Sequence, residues 1–256
     1  MAFENAYADR IRAAAYATLG FPGTYRLAFR DVPQVLGKHV KRGSALDFGC
    51  GAGRSTRFLK GLGFDCIGID VSENMVAQAQ RSDPEGEYMV VPDGDYGDLG
   101  DRRFDLVFAA FTFDNIPGGD HRAAILGALR ERLRPAGRIV LLGSTPDIYR
   151  HEWVSFTTAD FPENASARSG EEVRIVMKDV ADARPIVDLV WFHDDYVRLA
   201  GQAGLAIVDE HRPLGREDDG PAWGSEAKIA PWVIYVLAPV DATSAQGDLE
   251  PAAGAS

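Results

Sequence analysis

The residues of this chain best suited to chemistry sit in one short run, Leu46-Asp47-Phe48-Gly49-Cys50-Gly51-Ala52-Gly53, where an apolar stretch gives way to a helical one. Glycine reaches positive φ and lets the main chain come against a ligand where any Cβ would clash. The helix expected from about Arg54 opens with N–H groups that have no partner inside the helix. Such a turn serves either a dinucleotide or another nucleoside-bearing cofactor. Counted from Gly49 or Gly51, the last position of the dinucleotide fingerprint G-x-G-x-x-G/A holds Arg54 or Thr56, so that pattern fails. Asp47 suits a neighbouring cation better than a pyrophosphate. Asp70 closes the next apolar run, where an acid accepts hydrogen bonds from ribose hydroxyls. Its alternative is a helix cap beside Ser72, and after this turn the ribose role is the one expected.

Further polar groups fall at the ends of the neighbouring runs, in Pro92-Asp93-Gly94-Asp95 and Phe111-Thr112-Phe113. Asp114 and Asn115, inside FTFDNIP, are candidates for a general base, with turn residues before Pro117 as the alternative. His121 is a third candidate, or a cap or surface residue beside Asp120. His39, His151, His193 and His211 are scattered. Histidines and carboxylates nowhere recur at metal-ligand spacing, so no metal is expected. A Ser-His-Asp arrangement has no nucleophile elbow to stand on. Cys50 and Cys66 read as small core residues.

The elements that must hold these residues follow from the hydrophobic pattern. Apolar runs at 44–50, 64–70, 87–91, 103–111 and 137–144 alternate with helical stretches. Strands buried on both faces read as unbroken apolar runs, and their alternation with helices predicts a doubly wound α/β fold around a mostly parallel sheet. Ligands of such sheets lie beyond the carboxyl ends of the strands. A helix over 5–19 and a second from about Tyr25 to His39 precede the first strand. After Ser144 the alternation fails, and 145–193 reads as a β-containing insertion. A helix at 194–203, stopped by Gly204, and strands at 205–212 and 231–239 complete a single domain over 1–240. Residues 241–256, small and polar, are expected to form a disordered tail.

With 27 Lys and Arg against 38 Asp and Glu, the net charge of −11 disfavours a nucleic-acid partner. No apolar run is long enough for a bilayer, so no membrane partner is expected and the setting expected is cytoplasmic.

The run ALDFGCGAG, with GID at the second strand, Gly94-Asp95 after the third and LRPAGRIVLL before the fifth, resembles class I S-adenosylmethionine-dependent methyltransferases. The resemblance implies a Rossmann-like seven-stranded sheet, an N-terminal helical lid over 1–40, and S-adenosylmethionine as cofactor. It implies that the turn (Asp47, Gly49, Cys50, Gly51, Gly53) faces the methionine moiety and that Asp70, followed by Val71, holds the ribose. Asp95, with Gly94, would meet the adenine amino group, Met75 would pack on the adenine or else fill the core, and Ala110 and Phe111 would lie beside the cofactor. Tyr25 and Arg30 belong to a segment that folds over the cofactor in this family, where an arginine would pair with the methionine carboxylate; the alternative for Arg30 is a surface arginine.

The expected reaction is methyl transfer to an oxygen or nitrogen of a small molecule, a secondary metabolite among the candidates, by a monomer or homodimer. The alternative is a non-methyl-transfer reaction, a cyclisation or rearrangement, on the same fold. Trp153, Phe156, Phe161, Trp191, Phe192 and Trp223 suggest either a lid over an aromatic or apolar acceptor or the insertion's own core.

Overall fold

The computed structural model describes residues 22–180 and 183–240. The expected helix at 5–19 and the tail at 241–256 lie outside the described residues. Two helices, α1 (Gly23–Arg30) and α2 (Val32–His39), lead into β1 (Ser44–Phe48). The sequence pattern suggests one continuous helix here. The break falls at Asp31, because Pro33 in the first turn of α2 has no N–H to carry a helix through.

The elements β1, α3 (Arg54–Gly61), β2 (Asp65–Asp70), α4 (Glu73–Ser82), β3 (Glu87–Val90), β4 (Phe104–Ala110), α5 (Gly119–Glu131) and β5 (Leu133–Ser144) alternate as the pattern requires. After the insertion come α6 (His193–Gln202), β9 (Leu205–His211) and β10 (Trp232–Pro239). The seven strands are ordered β3-β2-β1-β4-β5-β10-β9. β1 is parallel to β2 and β4, β2 to β3 and β4 to β5, whereas β10 runs antiparallel to both β5 and β9. The strand order reverses direction beside β1, between β2 and β4, which is where a doubly wound sheet opens a crevice.

Period-two side-chain alternation builds the two faces. Ala45, Leu106, Phe108, Val140 and Ile234 point to one, against Leu27, Phe29 and Leu36 of α1 and α2. Leu46, Val107, Ile139 and Leu141 point to the other, against Ile125, Leu129 and Leu199 of α5 and α6. Strands sandwiched this way have no solvent face to mark with polar residues, hence their unbroken apolar runs. β5 begins four residues before the apolar run at 137–144. Its pairing with β4 shifts register between Phe104 and Leu106, and a Cβ on Gly137 would fall 2.8 Å from the Phe104 carbonyl.

The insertion folds as an antiparallel sheet of β6 (Phe156–Thr157), β7 (Glu172–Met177) and β8 (Ile186–Leu189), with β7 in the middle. Phe156, Val173, Ile175 and Ile186 join the same core face as α1. Trp153 is buried, its indole N–H donating to the Ile148 carbonyl at 2.8 Å. Trp191 packs beneath the Arg122 guanidinium, 4.2 Å from the ring centroid. These tryptophans are core, and of the six aromatics suggested as a lid only Phe156 lines the cavity described below.

Candidate active site

One cavity of about 380 Å³ opens along the carboxyl ends of β1, β2 and β4 and continues beneath the inserted sheet. Its first half is built by the glycine turn. Gly49 has φ +70°, and an added Cβ would stand 2.3 Å from the Thr112 side chain, so strand-to-strand packing alone demands glycine there. Gly51 has φ +53° and no atom within 4 Å of an added Cβ; it leaves open space at the cavity wall. Asp70 sits opposite, one carboxylate oxygen accepting the Gly51 N–H and the other the Ser72 N–H, both at 2.8 Å. Burial raises its pKa, against the opposing pull of the Ser72 and Gly51 N–H donors. Cys50, Val71 and Met75 line the same half.

Two turn residues do not. Asp47 is fully buried, and its Oδ2 accepts the hydroxyls of Ser55 and Thr56 at 2.6 Å each. It ties the end of β1 to the start of α3 rather than facing a ligand. Burial pushes its pKa up to about 6, against the pull of the two hydroxyls. Gly53 is the left-handed N-cap of α3 (φ +78°), and an added Cβ would meet Tyr88 at 2.8 Å. Both residues shape the turn without forming the cavity wall.

Asp95 also departs from expectation. Its Oδ1 accepts the Gly97 N–H at 3.0 Å, opening a short 3₁₀ turn, and neither it nor Gly94 lines the cavity. The acid that does is Asp93, whose Oδ2 lies 2.9 Å from His121 Nε2 at the cavity mouth.

Arg30 lies outside the cavity as well. Its guanidinium bridges Asp31, at 2.7 Å, and Asp219, at 2.5 Å. Hydrogen bonding from Arg30 holds the Asp31 carboxyl down at about 2, against its desolvation. The arginine at the cavity wall is Arg54, whose guanidinium stands 5.4 Å over the Tyr25 ring. Arg30→Ala should therefore leave cofactor affinity within about threefold, roughly 0.65 kcal/mol. It should destabilise the fold toward the lower end of the ~3–5 kcal/mol typical of breaking a buried ion pair. Calorimetric titration and chemical denaturation of the variant check both halves of that expectation.

The second half of the cavity is aromatic. Tyr25 stacks on Trp232 at 5.6 Å and meets Phe111 and Phe156 at 5.7 and 5.1 Å. Phe111 adopts φ +62°, costly for a residue with a Cβ, at about 1–3 kcal/mol. The conformation is clamped from three sides: Phe111 N–H donates to Leu142 at 2.7 Å, Asn115 Nδ2 donates to the Phe111 carbonyl at 3.2 Å, and the ring packs on Trp232. Ala110 precedes it on the wall.

Asp114 follows on a single 3₁₀ turn, 4% exposed, and accepts the Ser144 N–H at 3.1 Å and hydroxyl at 2.8 Å. Burial pushes its pKa up to about 6, against the pull of Ser144 and the charge of Arg122. Arg122 is itself fully buried and holds the Phe113 carbonyl. Of the three base candidates, Asp114 is therefore the one at the deep end, Asn115 steadies the wall, and His121 stands at the mouth.

Several wall residues escape a reading of the sequence. Tyr149 and Asp188 meet across the insertion, the Tyr149 hydroxyl donating to Asp188 at 3.0 Å. Trp232 arrives from the last strand. Only Ser144, closing an apolar run beside the others, carried a signal. Among the described residues there is no cluster of His, Cys, Asp and Glu fit to hold a metal ion. Also among them, no helix is long and apolar enough to cross a membrane.

S-Adenosylmethionine fits the first half of this cavity. The open space at Gly51 admits a ligand against the main chain, Asp70 faces it with a carboxylate already anchored on backbone, and Met75 and Val91 supply an apolar flank. Residues 46–141 match the family profile of a methyltransferase domain. The malonyl-[acyl-carrier protein] O-methyltransferase of Pseudescherichia vulneris is 29% identical over 111 residues, a match spanning 42% of this chain and 43% of that protein. The CcbJ methyltransferase from Streptomyces caelestis superposes with a TM-score of 0.60 at 18% identity, over 86% of this chain and 99% of that one. DhpI, solved with SAH, superposes with a TM-score of 0.60 at 19% identity over 92% and 94% of the two chains. Over residues 46–141 the chain is similar to methyltransferase domains, and its fold is the one that these solved methyltransferases share.

Proposed function

We propose that this protein transfers a methyl group from S-adenosylmethionine to an oxygen or nitrogen of a small molecule, of the secondary-metabolite kind, held in the aromatic half of the cavity. The observation that carries this reading is continuity. The glycine turn and Asp70 share one cavity with Tyr25, Phe156, Trp232 and the buried carboxylate of Asp114. When bound, S-adenosylmethionine supplies a methyl group already activated on a sulfonium.

The chain's own part is to hold, orient and dry the reactants. Asp70 accepts the ribose hydroxyls, Met75 and Val91 flank the base, and Gly51 lets the backbone approach. The strained Phe111 and its aromatic neighbours exclude water from the acceptor. Asp114 takes the proton that the acceptor gives up. Asn115 keeps Phe111 in place, and the His121–Asp93 pair closes the nucleoside end.

Incubation with S-adenosylmethionine and a panel of small aromatic amines, phenols and carboxylates tests the proposal. The expected result is S-adenosylhomocysteine release matched by a methylated product in at least one class. S-Adenosylhomocysteine release matched by no methylated product, or an intact cofactor across the whole panel, contradicts methyl transfer.

A further inference from the structure

Where Asp114, Ser144, Tyr149 and Asp188 meet, the acceptor cavity offers chiefly lone pairs. The Ser144 hydroxyl bonds Asp114 Oδ2 at 2.8 Å and also faces the Tyr149 hydroxyl, whose own proton goes to Asp188 Oδ2 at 3.0 Å. A hydroxyl that donates once presents only acceptor capacity to a third group. Asp114 Oδ1, engaged only by a long 3.3 Å contact from the Ser144 N–H, keeps acceptor capacity as well. A neutral hydroxyl brings one donor to such a surface. A carboxylate or phosphonate brings none, and adds a like charge beside Asp114 and Asp188. An ammonium group brings three donors and a positive charge. The remaining walls suit the same guest, since Phe111, Phe156 and Trp232 line them with aromatic rings that favour cations, the Tyr25 ring being already taken by the Arg54 guanidinium.

Resting on the methyltransferase reading above, we infer that the acceptor is a primary or secondary amine on an apolar frame, bound as its ammonium ion between Asp114, the Tyr149 oxygen and the aromatic walls. The bound ammonium passes one N–H proton to the Asp114 carboxylate. The freed nitrogen lone pair then forms the N–CH3 bond while the methyl–sulfur bond breaks, and that bonding pair stays on sulfur as a neutral thioether. The methylated nitrogen carries the positive charge away, and Asp114 returns its proton to water.

The titratable and charged groups around Asp114 are consistent with this cycle. Arg122 from α5 favours the carboxylate. Tyr149 beyond β5 and Tyr196 on α6 both face it with phenols that burial holds protonated, and Asp188 on β8 raises the Tyr149 phenol further. Asp114, pushed up to about 6, is ionised above that pH, so ammonium binding strengthens as pH rises through 6.

The test is equilibrium binding to the intact protein saturated with S-adenosylhomocysteine, using three probes of one shape: 2-phenylethylamine, 2-phenylethanol and 3-phenylpropanoate. The amine is expected to bind about tenfold or more tighter than either other probe, as charge-assisted hydrogen bonds require. Asp114→Asn should erase that preference, and Tyr149→Phe should reduce it. Should Asp114→Asn not fold, the ranking on the native protein and the Tyr149→Phe result decide the matter. An alcohol or carboxylate binding as tightly as the amine, or an amine that does not bind, overturns the inference. The saturating titration separates the two readings. No S-adenosylhomocysteine binding defeats the methyltransferase proposal itself, whereas binding without amine preference defeats only the acceptor class.

Discussion

Asp114→Asn should lower turnover by about 10²–10⁴-fold, the usual contribution of a positioned general base, with S-adenosylhomocysteine affinity held within about threefold, roughly 0.65 kcal/mol. The amide keeps the shape of the carboxylate, and its oxygen can still accept the Ser144 N–H and hydroxyl that hold Asp114 now. What it loses is the capacity to take a proton. The pH dependence carries the same information with a definite sign. Burial raises the Asp114 pKa to about 6, so the form competent as a base is populated above that value and lost below it. Native turnover should rise with pH through 6 and the variant's should not. A small loss with an unchanged pH profile would mean that alignment alone drives the reaction and that Asp114 is structural.

Asp70→Ala should weaken cofactor binding by about 1.5–3 kcal/mol, the range for hydrogen bonds to a charged group, which is on the order of ten- to 150-fold in Kd. The carboxylate acts at two levels. It would accept the ribose hydroxyls, and it already anchors the Gly51 and Ser72 N–H groups, so the shape of the glycine turn depends on it. The residue ends β2 and stands outside the strand's buried core, so the fold should persist. Calorimetric titration alongside a thermal melt separates the effects. Affinity equal to wild type in a folded variant would remove Asp70 from the cofactor site.

The glycine turn and Asp70 were legible in the sequence because their chemistry is local. A strand end, a tight turn and a helix start lie within a dozen residues, and positive φ at Gly49 and Gly51 is what that geometry demands. The doubly wound sheet was legible for the same reason, through apolar runs that both faces cover. Arg30 is not legible as a bridge because its partner Asp219 comes from a loop distant in the chain, and no local spacing announces that contact. Asp93 and Asp95 differ only in which side chain the Gly97 amide captures, a choice made by the turn and not by composition. Trp153 and Trp191 looked like a lid because aromatics outside a sheet often are one; here the inserted strands and α5 bury them. Tyr149 and Asp188 gave no warning, since each acquires meaning only when β8 folds back over the end of β5.

The cleft above β1 and β2 is proposed as a site for a sulfonium nucleoside and not for a dinucleotide. Calorimetric titration of the native protein with S-adenosylhomocysteine and, separately, with NAD tests it most directly. The expected result is saturable one-to-one binding of S-adenosylhomocysteine, a melting temperature that rises with its concentration by mass action, and no comparable response to NAD. Tighter binding of NAD than of S-adenosylhomocysteine would contradict it.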